Sequence, residues 1–465
     1  MSRWWKFAAL IPTVAMAFMD QTILPVALPT IQQDLGATNT ELQWCVNAYI
    51  LAIAVFVLAC GKMSDRIGPR NSLSLGMAGF AVTSAICGMS VNVWMLIISR
   101  GFQGLSAAFM FPAQTAMIAR TFPASSRGRA TGMIVSVGSL FMILAPLIGG
   151  WLTEVASWRW IFWINLPTAA LGIWMIQKFL PNTEPGKGMI DRRGFLYFLI
   201  ASTSLILFFM QAEEWGWSSP YSLFCIAIFP IAFLFLLFRE KNTPHPFLDL
   251  SLFKRPVYAA INLSVWTVQF ILMITVFQTI YFQEILTFTP FQTGLIVSTS
   301  SLPVIFMAPI AGFLSDHLSP KWPITLGYLL LITAFTILGL HSTPSTPLLL
   351  TALVAFGMGI PLIFTPSYSS AISSVPPDKT GVAMGTIITL RFLGGAIGLA
   401  LIHLFVEIVQ DLHIASGHRL ATITSFSYIH LTLAAILLIA MIFTLILHTR
   451  KSTHHLPPAP AEGWD

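Results

Sequence analysis

Apolar stretches long enough to cross a bilayer follow one another along almost the whole chain, and no other feature limits its fold so strongly. With about 20 residues as the length that spans the hydrocarbon core, fourteen such runs can be drawn: 7–31, 42–61, 71–90, 93–119, 130–152 and 159–180, then 195–215 and 219–238, then 256–283, 292–314, 322–341, 347–370, 380–406 and 424–448. Of 465 residues 56% are hydrophobic and only 9% charged, too few charges to coat a soluble globule of this size. The runs are continuous instead of alternating in segments of about ten residues, which excludes a transmembrane β-barrel. In hydrocarbon each run must satisfy its own backbone, so the expectation is an all-α polytopic membrane protein with 14 transmembrane helices.

Lys and Arg collect in cytoplasmic loops and therefore report topology. An even number of spans places both ends and every second loop on one side, and that side receives Arg3, Lys6, Lys62, Arg66, Arg70, Arg120, Arg127, Arg129, Lys178, Lys187, Arg192, Arg193, Arg239, Lys241, Lys254, Arg255, Lys321, Lys379, Arg450 and Lys451. Of the 24 cations, only Arg159 and Arg419 fall opposite, and only Arg100 and Arg391 within spans. Both termini are thus expected in the cytoplasm, with the chain crossing the cytoplasmic (inner) membrane many times. The net charge of +6 encodes this topology and implies no nucleic-acid partner. Arg3 and Lys6 before an apolar run resemble a signal peptide, but the run is too long and carries Asp20, so it should remain as the first helix. Cys45, Cys60, Cys87 and Cys225 lie apart in apolar runs, without CxxC spacing or nearby His, which points to neither a metal site nor a disulfide framework.

The chain also repeats. Gly61-Lys-Met-Ser-Asp65 returns as Gly312-Phe-Leu-Ser-Asp316, and Gly104, Pro123, Gly128 and Gly132 return as Gly357, Pro376, Gly381 and Gly385 in nearly constant register. Spans two to five therefore correspond to spans ten to thirteen, giving two pseudo-symmetric six-helix bundles of the same orientation around a central cavity. The expected division is 1–180 for the first bundle, 181–255 for an inserted two-helix linker region, 256–450 for the second bundle and 451–465 for a cytoplasmic tail.

Asp20 is the deepest acid. A carboxylate at bilayer depth costs roughly 3 kcal/mol on insertion scales, so it should face protein or an aqueous cavity, either on a proton path or paired with a cation. Arg100 lies deep enough to need such a partner. In the loop after the second span, Gly61 and Gly68 permit a tight turn, and Asp65 can accept hydrogen bonds from free N–H groups at the start of the next helix; Arg66 and Arg70 anchor that face. Pro146, Gly149 and Gly150 give a bend and close helix packing. His403 and His430 are expected to be packed hydrogen-bonding residues. No Walker A or HExxH pattern is present, which disfavours an ATP-driven pump or a metalloprotease.

Four motifs in order carry a resemblance: Asp20-Gln-Thr-Ile-Leu-Pro-Val-Ala-Leu-Pro29, Gly61-Lys-Met-Ser-Asp65-Arg66-Ile-Gly68-Pro-Arg70, Arg100-Gly-Phe-Gln103-Gly104, and Trp158-Arg159-Trp-Ile-Phe-Trp-Ile-Asn165-Leu-Pro167. Together they resemble the fourteen-span drug:proton antiporters of the major facilitator superfamily (EmrB/QacA type). Ala145-Pro146-Leu-Ile-Gly149-Gly150 is similar to that family's antiporter motif, with Ala145 in place of a glycine. The resemblance implies a non-enzymatic, proton-coupled exporter of small organic compounds, with no cofactor beyond the proton gradient. It implies proton coupling at Asp20 and Arg100, and a conformational latch at Gly61, Asp65, Arg66, Gly68 and Arg70. Arg391 and Gln103 are the substrate-binding residues expected. Two deep arginines against one deep acid also admit the alternative, a dedicated exporter of an anionic metabolite such as a siderophore. The other expected partners are protons and the lipid bilayer; the chain is expected to work as a monomer, and the need for a periplasmic adaptor stays open.

Overall fold

The computed structural model describes residues 3–183, 191–243, 247–248, 250–288, 290–375, 380–413 and 417–449. The expected tail, 451–465, and the middle of the linker after Pro181 lie outside the described residues. The first bundle runs α1 (Arg3–Ala8), α2 (Ile11–Leu35), α3 (Asn39–Ile67), α4 (Pro69–Gly88), α5 (Val93–Thr121), α6 (Arg127–Val155), α7 (Trp160–Trp163) and α8 (Asn165–Phe179). An inserted pair, α9 (Arg192–Trp215) and α10 (Pro220–Lys241), separates it from α11 (Pro256–Leu272), α12 (Ile274–Glu284), α13 (Pro290–His317), α14 (Lys321–Leu340), α15 (Thr346–Ser374), α16 (Thr380–His413) and α17 (His418–Thr449).

The expected count of fourteen spans is corrected. Among the described residues, twelve helices are long and apolar enough to cross a membrane, and the runs 71–90 and 159–180 are not represented among them. α4 has the length, but Arg70, Asn71, Ser72, Ser74, Thr83 and Ser84 dilute its apolar content. The second run is interrupted at Ile164, which leaves α8 with 15 residues; at 1.5 Å per residue it falls short of the roughly 30 Å hydrocarbon core. Freedom from charge draws the runs in the sequence, whereas crossing also demands sufficient helix length and apolarity.

Local chemistry sets the helix ends. Thr38 and Glu41 form a reciprocal capping box at the start of α3, and Asn92 Oδ1 accepts from Met95 N at 2.8 Å at the start of α5. Gly68, at φ 86°, turns the chain from α3 into α4. Pro69 then occupies the first helical position, where its missing N–H is not needed. Gly61 belongs to α3 itself, so the tight turn rests on Gly68 alone.

Within the first bundle α3 packs on α5, α4 on α5 and α8, and α2 on α6; within the second, α14 packs on α15 and α17, and α11 on α16. The bundles meet along two seams, α3 against α16 and α6 against α13. The sequence repeat pairs α3 with α13 and α6 with α16, so exchanging the repeats carries one seam onto the other. Gly132 and Gly312 sit at the second seam, where a Cβ on either would collide with the facing backbone of Ala308 or Gly128. α9 lies over the first seam, against both α3 and α16, and α10 packs chiefly on α9. Asp191 caps α9 and receives Arg239 of α10 at 3.0 and 3.3 Å. Burial opposes its ionisation, but the bonds from Arg239 and from nearby backbone N–H groups outweigh it and hold the Asp191 carboxyl below the usual range.

Internal prolines release carbonyls that would be orphaned in lipid. Pro146 of α6 cannot bond Met142 O four residues earlier, and the Thr22 hydroxyl of α2 donates to that oxygen at 3.2 Å. Pro309 of α13 likewise frees Ile305 O, which accepts the Ser136 hydroxyl of α6 at 2.6 Å across the seam. Ser136→Ala is expected to lower unfolding free energy in detergent by about 1–3 kcal/mol, the cost of a buried unpaired carbonyl. In a Pro309→Ala background, which restores the in-helix partner, most of that loss should vanish. Equal losses in the two backgrounds of a melting cycle would refute the pairing.

Candidate functional site

Five elements of the first bundle converge on Asp20. α2 supplies the acid, and α5 brings Arg100 and Gln103 to it from positions one turn apart. Arg100 Nη1 stands 2.5 Å from Asp20 Oδ2 and 2.8 Å from Gln103 Oε1, while Arg100 Nε donates to the α3 carbonyl of Cys45 at 3.0 Å. Gln103 Nε2 donates to Asp20 Oδ1 and to Ser84 Oγ of α4, each at 3.2 Å. Asn165 of α8 donates to the same Ser84 oxygen at 3.0 Å, and Ser84 donates on to Phe162 O at 2.8 Å. The guanidinium also lies 4.3 Å over the Tyr49 ring. Asp20 and Arg100 are 2% and 1% exposed, so each charge depends on the other and on this network. Gln103, expected to touch cargo, is instead fully buried as the third member of the charge cluster.

The latch residues divide. Asp65 does not cap the following helix, whose first residue is Pro69; its Oδ2 accepts from Val382 N at 3.1 Å, at the start of α16 in the other bundle. Its repeat counterpart Asp316 accepts from Gly128 N at 2.7 Å and Arg129 N at 2.8 Å, at the start of α6. Each bundle thus places a carboxylate on a helix N-terminus of its partner, where free N–H groups and the helix dipole favour negative charge. Arg70 stays within its own bundle, donating to the last carbonyls of α8 at Ile176 and Gln177. Arg66 is exposed. Along α6, Gly149 packs directly on Ile23 of α2 and Gly150 faces Val26. Arg159 pairs with Asp34 at 2.7 Å, and Trp158 Nε1 donates to the same carboxylate at 3.0 Å.

Arg391 lies apart from the charge cluster, between the bundles. Its Nε donates to Gln269 Oε1 at 2.7 Å and Nη1 to Tyr368 OH at 3.3 Å, with the guanidinium 5.0 Å over Phe364. It borders a cavity of about 70 Å3 that also meets Phe18, Gln21, Phe111 and Gln114 of the first bundle. Drug-sized ligands need roughly 300–1,000 Å3, more than this cavity offers. Gln114 Nε2 is buried without a hydrogen-bond partner among the described residues. Gln21, Gln114, Gln269 and Tyr368 were not singled out from the sequence; the usable signal was that Gln114 follows Gln103 by eleven residues, three helical turns along the same face of α5. His430 is packed as expected, with Nδ1 2.7 Å from Phe426 O and Nε2 3.0 Å from Gln278 Nε2.

Two helical bundles of shared repeat, a buried ion pair in one and a cavity between them mark a multi-pass membrane protein built as a transporter. The chain belongs to the Major Facilitator Superfamily, whose family description matches residues 10–399. It is 32% identical to the riboflavin transporter RibZ of Clostridioides difficile, over 83% of this chain and 84% of that one. It is 30% identical to the tetracenomycin C resistance and export protein of Streptomyces glaucescens (86% and 75% covered) and 29% to the multidrug resistance protein Stp of Mycobacterium tuberculosis (83% and 73%). The human organic anion transporter MFSD10 superposes with a TM-score of 0.68 at 18% identity, covering 96% of this chain and 100% of that one. The proton:xylose symporter XylE superposes at 0.65 and 13% identity, over 93% and 94%. Members of this family are transporters rather than enzymes.

The Asp316 contact predicts a measurable response. Asp316→Ala removes the bonds to Gly128 N and Arg129 N, so it should open the α6–α13 seam by about 1–2 kcal/mol. A cysteine placed at Ala308, fully buried in that seam, should then react roughly tenfold faster with a water-soluble thiol reagent. An unchanged rate would mean that the carboxylate does not hold the seam.

Proposed function

We propose that this chain is a proton-coupled secondary transporter that exports small organic compounds, working as a monomer in the cytoplasmic membrane with both termini in the cytoplasm. The carrying observation is the Asp20–Arg100 pair, buried where an unpaired charge is costly and joined through Gln103 and Ser84 to α4, α7 and α8. While the bundles are locked by Asp65 and Asp316, the pair is closed. A rearrangement that withdraws Arg100 leaves a lone carboxylate in a low dielectric, and a proton neutralises it. Return of Arg100 expels that proton, and coupling follows if the two events occur on opposite sides of the membrane. The latch role of Asp65 and the hinge role of Pro146, Gly149 and Gly150 belong to this cycle. Export is supported by the names of the resistance relatives, and sidedness by the cation-rich helix ends that carry Arg66, Arg70, Arg120, Arg129, Arg239 and Lys241.

Asp20→Asn is nearly isosteric and cannot exchange a proton in the working range, so it should abolish uphill export while folded protein still binds cargo, at a stability cost of about 3–5 kcal/mol because buried Arg100 loses its counter-charge. Vesicles under an imposed pH gradient measure this. Parental transport rates in the variant would remove Asp20 as the coupling acid.

A second reading, export of an anionic metabolite, is favoured by one observation: the cation bordering the central cavity is Arg391, held in place by Gln269 and Tyr368. For anionic cargo, Arg391→Gln should weaken binding by about 1.5–3 kcal/mol, the value of a charge-assisted contact, with little effect on lipophilic cations. For cationic cargo the same change should spare or improve binding. Comparative binding of cationic dyes and anionic chelators to the purified proteins separates the two.

A further inference from the structure

A sizeable space lies away from the interface between the bundles. A groove of about 690 Å3 lies between the inserted pair, α9 and α10, and the outer face of α3 and α5. Its walls are almost wholly apolar: Ala48 and Ala52 form part of the α3 side, Ile98 and Gly101 the α5 side, Leu199 the α9 side and Phe224 the α10 side. The polar side chains on it are few, and Ser204 donates its hydroxyl to its own helix at Ala201 O. Such a lining has nothing to offer a polar or charged solute.

We propose that this groove is a binding site for one acyl chain of a membrane phospholipid. The four helices that form it are all among the membrane spans, so what surrounds its opening is hydrocarbon. α10 packs chiefly on α9, and Phe224 and Ile98 stand 65% and 59% exposed on the two sides of the opening. At about 30 Å3 for a water-sized unit, comparable to a methylene, the space holds on the order of twenty such units, the content of one long chain. Depth is also indicated. Trp44, Trp94, Trp215 and Tyr221 cluster toward the cation-poor end, and interfacial Trp and Tyr mark the headgroup level. The Thr40 hydroxyl donates to Glu214 at 2.6 Å at that end, tying α3 to α9 above the groove. The chain therefore descends from the cation-poor leaflet and fills the gap between the pair and the first bundle, including the α5 face that carries Gly101 beside Arg100. A filled groove gives α3 and α5 packing partners on a side where the protein supplies none, which a void cannot do.

The test reconstitutes the full chain in nanodiscs of phosphatidylethanolamine and phosphatidylglycerol with a trace of a phospholipid bearing a diazirine near the middle of one acyl chain. After irradiation, labelled residues are mapped by mass spectrometry. Label is expected on Ala48 and Ala52 at the groove floor, in addition to outward residues such as Leu326 and Leu329 of α14. A Cβ at Gly101 meets nothing within 4 Å, so Gly101→Phe fits and projects into the groove. It should cut floor labelling roughly tenfold by occupying the space, with α14 labelling unchanged. Thr203→Phe, from the α9 wall, should do the same. A floor without label beside normally labelled outward faces would overturn the proposal, as would floor labelling that both variants leave unchanged. Displacement of floor label by excess tetraphenylphosphonium would also overturn it, since the groove would then be a lateral path for lipophilic cargo and not a lipid site.

Discussion

A polar group in hydrocarbon must be paired inside the protein, and the structure is arranged around that requirement. It makes every described element helical, and it decides where helices touch when a proline interrupts the ladder. Thr22 at Met142 O and Ser136 at Ile305 O are small examples, each a hydroxyl from a facing helix taking over a carbonyl its own helix has lost. Asp20 with Arg100 is the extreme case. Two full charges at nearly zero exposure can persist only while bonded to each other and to Gln103, Cys45 O and Ser84. The same rule that fixes the fold therefore stores, at one point, a charge pair that motion of any of several helices would disturb.

The repeat turns one contact into two. Because α3 corresponds to α13 and α6 to α16, the contact Asp65 makes with the start of α16 has its counterpart in Asp316 at the start of α6. Two carboxylates on two helix N-termini close the cation-rich end symmetrically, and Gly132 and Gly312 let the backbones approach between them. Bonds to helix-end N–H groups suit a reversible closure, since each contributes on the order of 1 kcal/mol and water can replace it on opening. The Asp20 cluster, by contrast, lies wholly within one bundle, so rigid-body motion alone would leave it intact. Coupling the two requires that helices carrying both, α3 above all, bend or rotate as the seam opens.

Much of the architecture was legible because its signals are periodic or rare. Long uncharged runs, alternate cationic loops and a repeat in nearly constant register identify a helical two-bundle membrane protein, and an acid and an arginine deep in apolar runs announce themselves by their cost. What counting runs could not supply was whether a helix continues. α4 keeps its helix but loses apolarity to serines and Arg70, and the run through Trp160 to Phe179 breaks at Ile164, so twelve spans stand where fourteen were drawn. Gln103 is expected from the sequence to bind cargo, yet its rotation on α5 turns it to Asp20.

The sequence by itself determined which residues carry charge into the membrane, where helices begin and end by their caps and prolines, and which segments are copies of one another. These are properties of composition and of neighbours along the chain. Only the tertiary structure decided that Asp65 reaches α16 and not α4, that Ser136 answers Pro309, that Arg391 meets Gln269 and Tyr368, and that a groove separates the inserted pair from the first bundle. Those pairings join residues far apart in sequence, and in hydrocarbon the choice among possible partners is made by which helix faces pack together, a quantity no single helix encodes.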